Sequence, residues 1–182
     1  PNSGNGGYTA GIIAANLPFS PEITLRFPPP LDQPMHLLVK EKSATLLNGD
    51  TLIAEAKVTD LQLNIPTAIS FEQANSASLA VTVYESAPFQ KCFVCGANRT
   101  EGDGLNIRSK TIGQQKVAAP WIPYASLGQE NGIVKEAFIW AALDCPGAWA
   151  IQETTQFYLL GRMATKIVHP IMVGHKYVIM GW

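Results

Sequence analysis

The chain has 182 residues, of which 47% are hydrophobic and 15% charged, and its formal net charge is −1. That length can bury a real core, as one large domain or two small ones, and the low charge excludes intrinsic disorder. A pI near 6.4 leaves no basic footprint for nucleic acid, and no apolar run approaches the roughly 20 residues that cross a bilayer. No basic region precedes an apolar stretch, so a signal peptide is expected to be absent or already removed, and three cysteines are too few for a disulfide framework. A cytoplasmic protein is the expectation.

In chain order, Gly4-Asn5-Gly6-Gly7 leads into Tyr8–Leu17, apolar at almost every position and stopped by Pro18. This predicts a short helix wrapped by other structure. Glu22–Phe27 alternates as a strand, with Ile23, Leu25 and Phe27 on one face. His36–Leu46 and Thr51–Thr59 flank Asn48-Gly49, the signal of a type I′ hairpin. In the second arm Leu52, Ala54, Ala56 and Val58 face one way, Glu55 and Lys57 the other. Phe71–Leu79 reads as a short surface helix.

Periodicity then lapses, and Pro88–Gly104 reads as a connector rich in turn formers. Leu105–Arg108 and Lys116–Ala119 follow as strands with Gly113 in the bend. Ile133–Cys145 is a helix with apolar stripes Ile133/Ala137/Trp140 and Val134/Phe138/Ala141/Cys145, and Pro146 should end or kink it. Tyr158–Ile167 and Lys176–Trp182 are the last strands. The order amounts to an α+β chain with one unit used twice, an antiparallel sheet about a single apolar helix.

Three segments carry a resemblance. Cys92-Phe93-Val94-Cys95-Gly96, with Gly104-Leu105 downstream, resembles the C-F-x-C-G…G-L segment of hotdog-fold thioesterase-like proteins. Ala142-Leu143-Asp144-Cys145-Pro146-Gly147-Ala148-Trp149-Ala150 looks like the A-L-A-D-x-A-x-G-x-A helix of the phenylacetate-pathway type of hotdog acyl-CoA thioesterase. Gly4-Asn5-Gly6-Gly7 is similar to the H-G-G turn that opens the central helix there. The resemblance implies two hotdog units, residues 1–87 and 88–182, the first lacking its first strand and the second its last strands. It implies a sheet around each helix, pairing as a dimer or double hotdog with room for a homo-oligomer. The implied ligand is acyl-CoA or a related thioester lying between the units; no cofactor is assigned, and the lack of a long apolar run gives no reason to expect a membrane partner. Laying the two helices together at an offset of about 130 residues sets Asn5 against Lys135 and Ala14 against Asp144. One half then keeps the glycine turn and the other the acid, which predicts a single site per chain.

The chemistry divides among few residues. Helix N-terminal N–H groups at Gly6 and Gly7 could polarise a thioester carbonyl, with Asn5 orienting the ligand or a water; the same residues also read as a plain helix cap. Asp144 on an apolar helix is the candidate base or nucleophile, or else a polar residue bonded to backbone freed by Pro146. Tyr8, Glu136 and Trp140 are placed beside the substrate, although Glu136 reads more simply as an N-terminal complement to the helix dipole. Arg162, Lys166 and Lys110 could meet coenzyme A phosphates, and Asp50 and Asp103 belong to turns. No serine elbow, P-loop or G-x-G-x-x-G fingerprint is present.

Cys92 and Cys95 form a CxxC that reads as a structural turn with reduced thiols, and no metal is assigned. Zinc would need two further ligands, with Cys145, His36, His169 and His175 candidates only if the fold brings them near. The main rival to a thioesterase is a non-catalytic acyl-CoA or lipid-binding protein of the same fold. A dehydratase-like hotdog would want a helix histidine, and neither helix has one.

Overall fold

A computed structural model describes residues 3–78, 89–113, 115–151 and 158–182. Among these residues, three α-helices, α1 (Gly6–Ala15), α2 (Phe71–Ser78) and α3 (Glu136–Ile151), accompany eight strands. The strands are β1 (Pro21–Leu25), β2 (His36–Val39), β3 (Ser43–Asn48), β4 (Thr51–Val58), β5 (Lys110–Gly113), β6 (Lys116–Trp121), β7 (Arg162–Ala164) and β8 (Tyr177–Gly181). They form two antiparallel sheets, ordered β2-β3-β4-β1-β7 and β5-β6-β8. The chain is thus α+β. None of the described helices is long and apolar enough to cross a membrane.

Each sheet has its own core and its own helix. Ala10, Ile13 and Ala14 of α1 pack on Ile23, Ala44, Leu46, Ile53, Ala54 and Ala56 of the five-stranded sheet. Ile139, Ala141 and Ala142 of α3 pack with Ala119, Trp121 and Ile179 of the three-stranded sheet and with Val94, Leu105 and Ile107. The helices themselves cross antiparallel, Gly7 lying against Asp144 and Gly11 against Ala137. A Cβ on Gly11 would stand 2.6 Å from the Ala137 Cα, and one on Gly7 would stand 2.7 Å from the Asp144 Cβ. Glycines one turn apart on a single face therefore let the two backbones meet. Trp140, fully buried, fills the space beside this crossing and joins the α1 core.

The halves also exchange elements. β7, late in the chain, pairs with β1 and completes the first sheet, while α2, from the first half, packs on the second sheet. The expected boundary between residues 87 and 88 falls within residues 79–88, outside those described.

Several local expectations need correction. The β3–β4 turn is centred on Gly49-Asp50, not Asn48-Gly49, since Asn48 pairs with Thr51. Only Gly49 has positive φ (56°) there, the pattern of a II′ turn. A register shift beside Leu46/Leu47 inserts Ile53 as an extra residue, so Ile53 and Ala54 are both buried, while Val58, at the end of β4, is exposed. Two strands, β2 and β3, replace the single one expected over His36–Leu46, and of Tyr158–Ile167 only β7 is a strand. Leu105–Arg108 is not a strand of the second sheet, because Leu105 and Ile107 donate instead to the Phe93 and Val94 carbonyls and Asn106 takes a positive φ.

α3 also differs from its expectation at both ends. Ile133 and Val134 lie before it, in isolated bridges to Met172 and Gly128. At the far end it runs through Pro146 to Ile151. A mid-helix proline costs about 3 kcal/mol or more. Here Pro146 is fully buried and Gly181 of β8 packs on its carbonyl, so tertiary packing offsets the lost N–H bond.

Candidate active site

Asn5 stands at the head of α1 with extended backbone (φ −68°, ψ 134°), and its Oδ1 accepts the Tyr8 N–H at 2.8 Å. This is an N-cap, and it leaves the amide nitrogen of the side chain free to donate elsewhere. That donation goes to Asp144 Oδ2, at 3.3 Å, and the Gly7 N–H donates to the same oxygen at 3.0 Å. Four residues expected at the site from the sequence, Asn5, Gly6, Gly7 and Asp144, are therefore brought together by the helix crossing.

The arrangement changes the expected role of Gly7. Its N–H is occupied by the acid, and the Tyr8 N–H by the Asn5 cap, so among the described residues the Gly6 N–H is the donor of the first turn without a protein acceptor. Asp144 Oδ1 likewise accepts no bond among the described residues, both donors being on Oδ2. One carboxylate oxygen is thus held by two donors, and the other accepts none from the described residues. Burial pushes the Asp144 carboxyl up to about 6; the Gly7 N–H and Asn5 amide oppose the rise, and negative charge on Cys92 adds to it.

Asn5, Gly6 and Asp144 line a cavity of about 830 Å³, within the usual range for small-molecule pockets. Its apolar wall includes Phe27, Leu31, Phe93, Trp149 and Leu159, and Arg26, Lys91 and Arg99 contribute cationic side chains. Arg26 is paired with Glu55 at 2.6 Å and Arg99 with Asp103 at 3.1 Å. Phe27 reaches the cavity because β1 stops at Leu25, where the sequence pattern alone would have kept it on the sheet face.

Other expected residues lie elsewhere. Trp140 is fully buried in the core, and Glu136 accepts its indole N–H at 3.1 Å; neither lines the cavity. Tyr8 packs against Phe93 and Phe138, with ring centroids 6.0 and 5.4 Å away, and is also absent from the cavity wall. Arg162 sits 3.6 Å from Glu22 on β1, and Arg162, Lys166 and Lys110 do not line the cavity.

What sequence reasoning left dispersed is the sulfur chemistry. The Cys92, Cys95 and Cys145 sulfurs all lie within 4.8 Å of one another on the same cavity wall, with Cys92 and Cys145 3.6 Å apart. Thiol donation from Cys145 and then Cys95 holds the Cys92 thiol well below its ordinary range, while donation to Cys92 and Cys95, with burial, pushes Cys145 up. The adjacency of Cys145 to Asp144 was the available signal, but only the fold shows that it meets the CxxC. The three histidines are exposed and take no part in this cluster.

Comparison of the chain with family models, with curated proteins and with solved structures finds no match.

Proposed function

We propose that the chain is an acyl-CoA thioesterase of the hotdog type, with one composite site formed by the first turn of α1 and Asp144 of α3. The observation that carries this reading is the Asp144 carboxylate, tethered through one oxygen to Gly7 and Asn5 at a helix N-terminus on the wall of a large apolar cavity. Two helix–sheet units with their helices packed antiparallel support a double-hotdog arrangement.

Thioester hydrolysis needs a donor on the carbonyl oxygen and a base or nucleophile beside the carbon. The free Gly6 N–H, at the positive end of the α1 dipole, serves as the donor. Asp144 Oδ1 takes a proton from water as hydroxide adds to the carbonyl; the C–S bond then breaks and the thiolate leaves with that proton. The apolar wall takes the acyl chain, and Lys91 offers positive charge to the phosphates of coenzyme A, Arg26 and Arg99 being paired with Glu55 and Asp103. A cytoplasmic location goes with that substrate.

Asp144→Ala, assayed on a panel of acyl-CoAs, should lower kcat/KM by about 10²–10⁴ with the circular dichroism of the folded chain retained. Undiminished turnover overturns the assignment. Wild-type protein that binds acyl-CoA without turning it over instead favours the non-catalytic acyl-binding reading.

A further inference from the structure

We propose that Cys92, Cys95 and Cys145 form a binding site for one thiophilic divalent cation, zinc by its chemistry, with the fourth coordination position open to the cavity. This inference stands apart from the thioesterase reading and uses none of its residues as ligands.

The geometry is that of a metal site before the metal. Four sulfurs about 2.3 Å from a tetrahedral zinc stand about 3.8 Å from one another. Here the Cys92–Cys145 separation is 3.6 Å, and all three sulfurs lie within 4.8 Å of one another. The ligands come from two rigid places. Cys92 and Cys95 sit in a tight turn where the Gly96 N–H returns to the Cys92 carbonyl at 3.0 Å and Asn98 N–H to the Gln90 carbonyl at 2.9 Å. Gly96 packs so closely on the Gln90 and Cys92 backbone that any side chain there would force the turn apart. Arg108 pins the far side, donating to the Gly96 and Arg99 carbonyls at 2.8 and 3.1 Å. Cys145 is fixed within α3, one residue before buried Pro146.

Donors are also arranged around the sulfurs as outer-shell groups are around metal thiolates. The backbone N–H groups of Val94 and Cys95 face the Cys92 sulfur, and the Trp149 indole faces Cys95. Three thiolates with a divalent cation leave one negative charge, and Lys91 and Arg99, flanking the CxxC, line the same cavity. Among the described residues no fourth protein ligand joins the cluster. Three protein ligands and a position for water or a cavity ligand is the pattern of open zinc sites.

The test loads the full-length reduced chain with cobalt(II) as a spectroscopic probe and measures zinc content after purification without chelator. The expected result is one metal per chain, thiolate-to-cobalt charge-transfer absorption, and the intense d–d bands of tetrahedral coordination. Cys92→Ser and Cys145→Ser should each weaken cobalt binding more than the roughly 10–100-fold typical of outer-shell changes, whereas His36→Ala leaves it unchanged. Should a serine variant not fold, wild-type alkylation decides: the three thiols are protected with metal bound and released by chelator. Freely alkylated thiols without a cobalt spectrum overturn the site, as does cobalt affinity unchanged in a folded serine variant. A Cys92–Cys145 disulfide that persists in place of metal also overturns it and makes the cluster a redox pair. None of these readouts involves thioester hydrolysis, so the two proposals fail separately.

Discussion

α1 and α3 begin about 130 residues apart, each lies on its own sheet, and they meet antiparallel, yet their first turns are built for different work. α1 opens with Asn5, Gly6 and Gly7: a capping side chain, then two residues without a Cβ, so that a partner helix can bring a carboxylate to the N–H groups. α3 opens with Lys135, Glu136 and Ala137, and its glutamate is engaged with its own Trp140. The far ends differ in the opposite sense: at an offset of about 130 residues, the α1 position set against Asp144 is Ala14, which is buried. The contrast shows how a pair of crossing helices can hold one polar junction at one end of the crossing and plain apolar packing elsewhere. A charge is tolerated only where backbone donors are free to receive it.

The strongest way to break that comparison is to move the acid. Ala14→Asp would place a carboxylate at a position only 6% exposed, facing no glycine turn. An unpartnered buried charge costs about 3–5 kcal/mol, so the variant should lose much of its stability in a urea melt and bind no second ligand. A stable variant with two acyl-CoA sites by calorimetry would show that the halves are more alike than their first turns suggest.

The next test is on the crossing itself. Gly11→Ala puts a methyl 2.6 Å from the Ala137 Cα, a backbone atom of the facing helix that cannot rotate away. Overpacking of this kind costs about 1–3 kcal/mol. By separating the helices it should also lower the proposed thioester hydrolysis, because Asp144 then loses the Gly7 N–H. A thermal melt and kcat/KM on the same preparation check both effects. Unchanged melting would mean that the helices are not in backbone contact.

The smallest effect sharpens the picture at Asn5. Asn5→Ala removes the cap on Tyr8, worth about 1 kcal/mol, and one of the two donors on Asp144 Oδ2. Asn5→Asp should restore the cap but set a carboxylate beside Asp144. Activity should fall in both variants, and in Asn5→Asp stability should rise again as the solution is acidified and the carboxylate pair takes up a proton; activity retained in Asn5→Asp would show that the side chain matters only as a cap.

Legibility varied along the chain for local reasons. The α1 helix and its glycine entry follow from short-range rules, and the structure places them within about two residues of expectation; the hairpin turn lies one residue on from Asn48-Gly49, while its first arm is split into β2 and β3. The α2 helix is similarly local, with Ser70 and Gln73 capping each other. Errors gathered where a distant partner competed for the backbone: Phe93 and Val94 take the N–H groups of Leu105 and Ile107, and β8 packing carries α3 through Pro146. At the site, Asn5, Gly6, Gly7 and Asp144 stood out singly, because an acid in an apolar helix and glycines at a helix start are unusual by themselves. Their mutual bonds were out of reach, and so were the cavity wall and the third sulfur.

By itself, then, the sequence determined which residues could carry chemistry and that two apolar helices each need a sheet, since hydrophobic period and turn residues act over a few positions. Only the tertiary structure decided that Gly7 faces Asp144, that β7 and α2 change sides, and that Cys145 joins Cys92 and Cys95. Those outcomes depend on the close approach of two helix backbones, and such an approach is set by packing between segments more than a hundred residues apart, where no local pattern reaches.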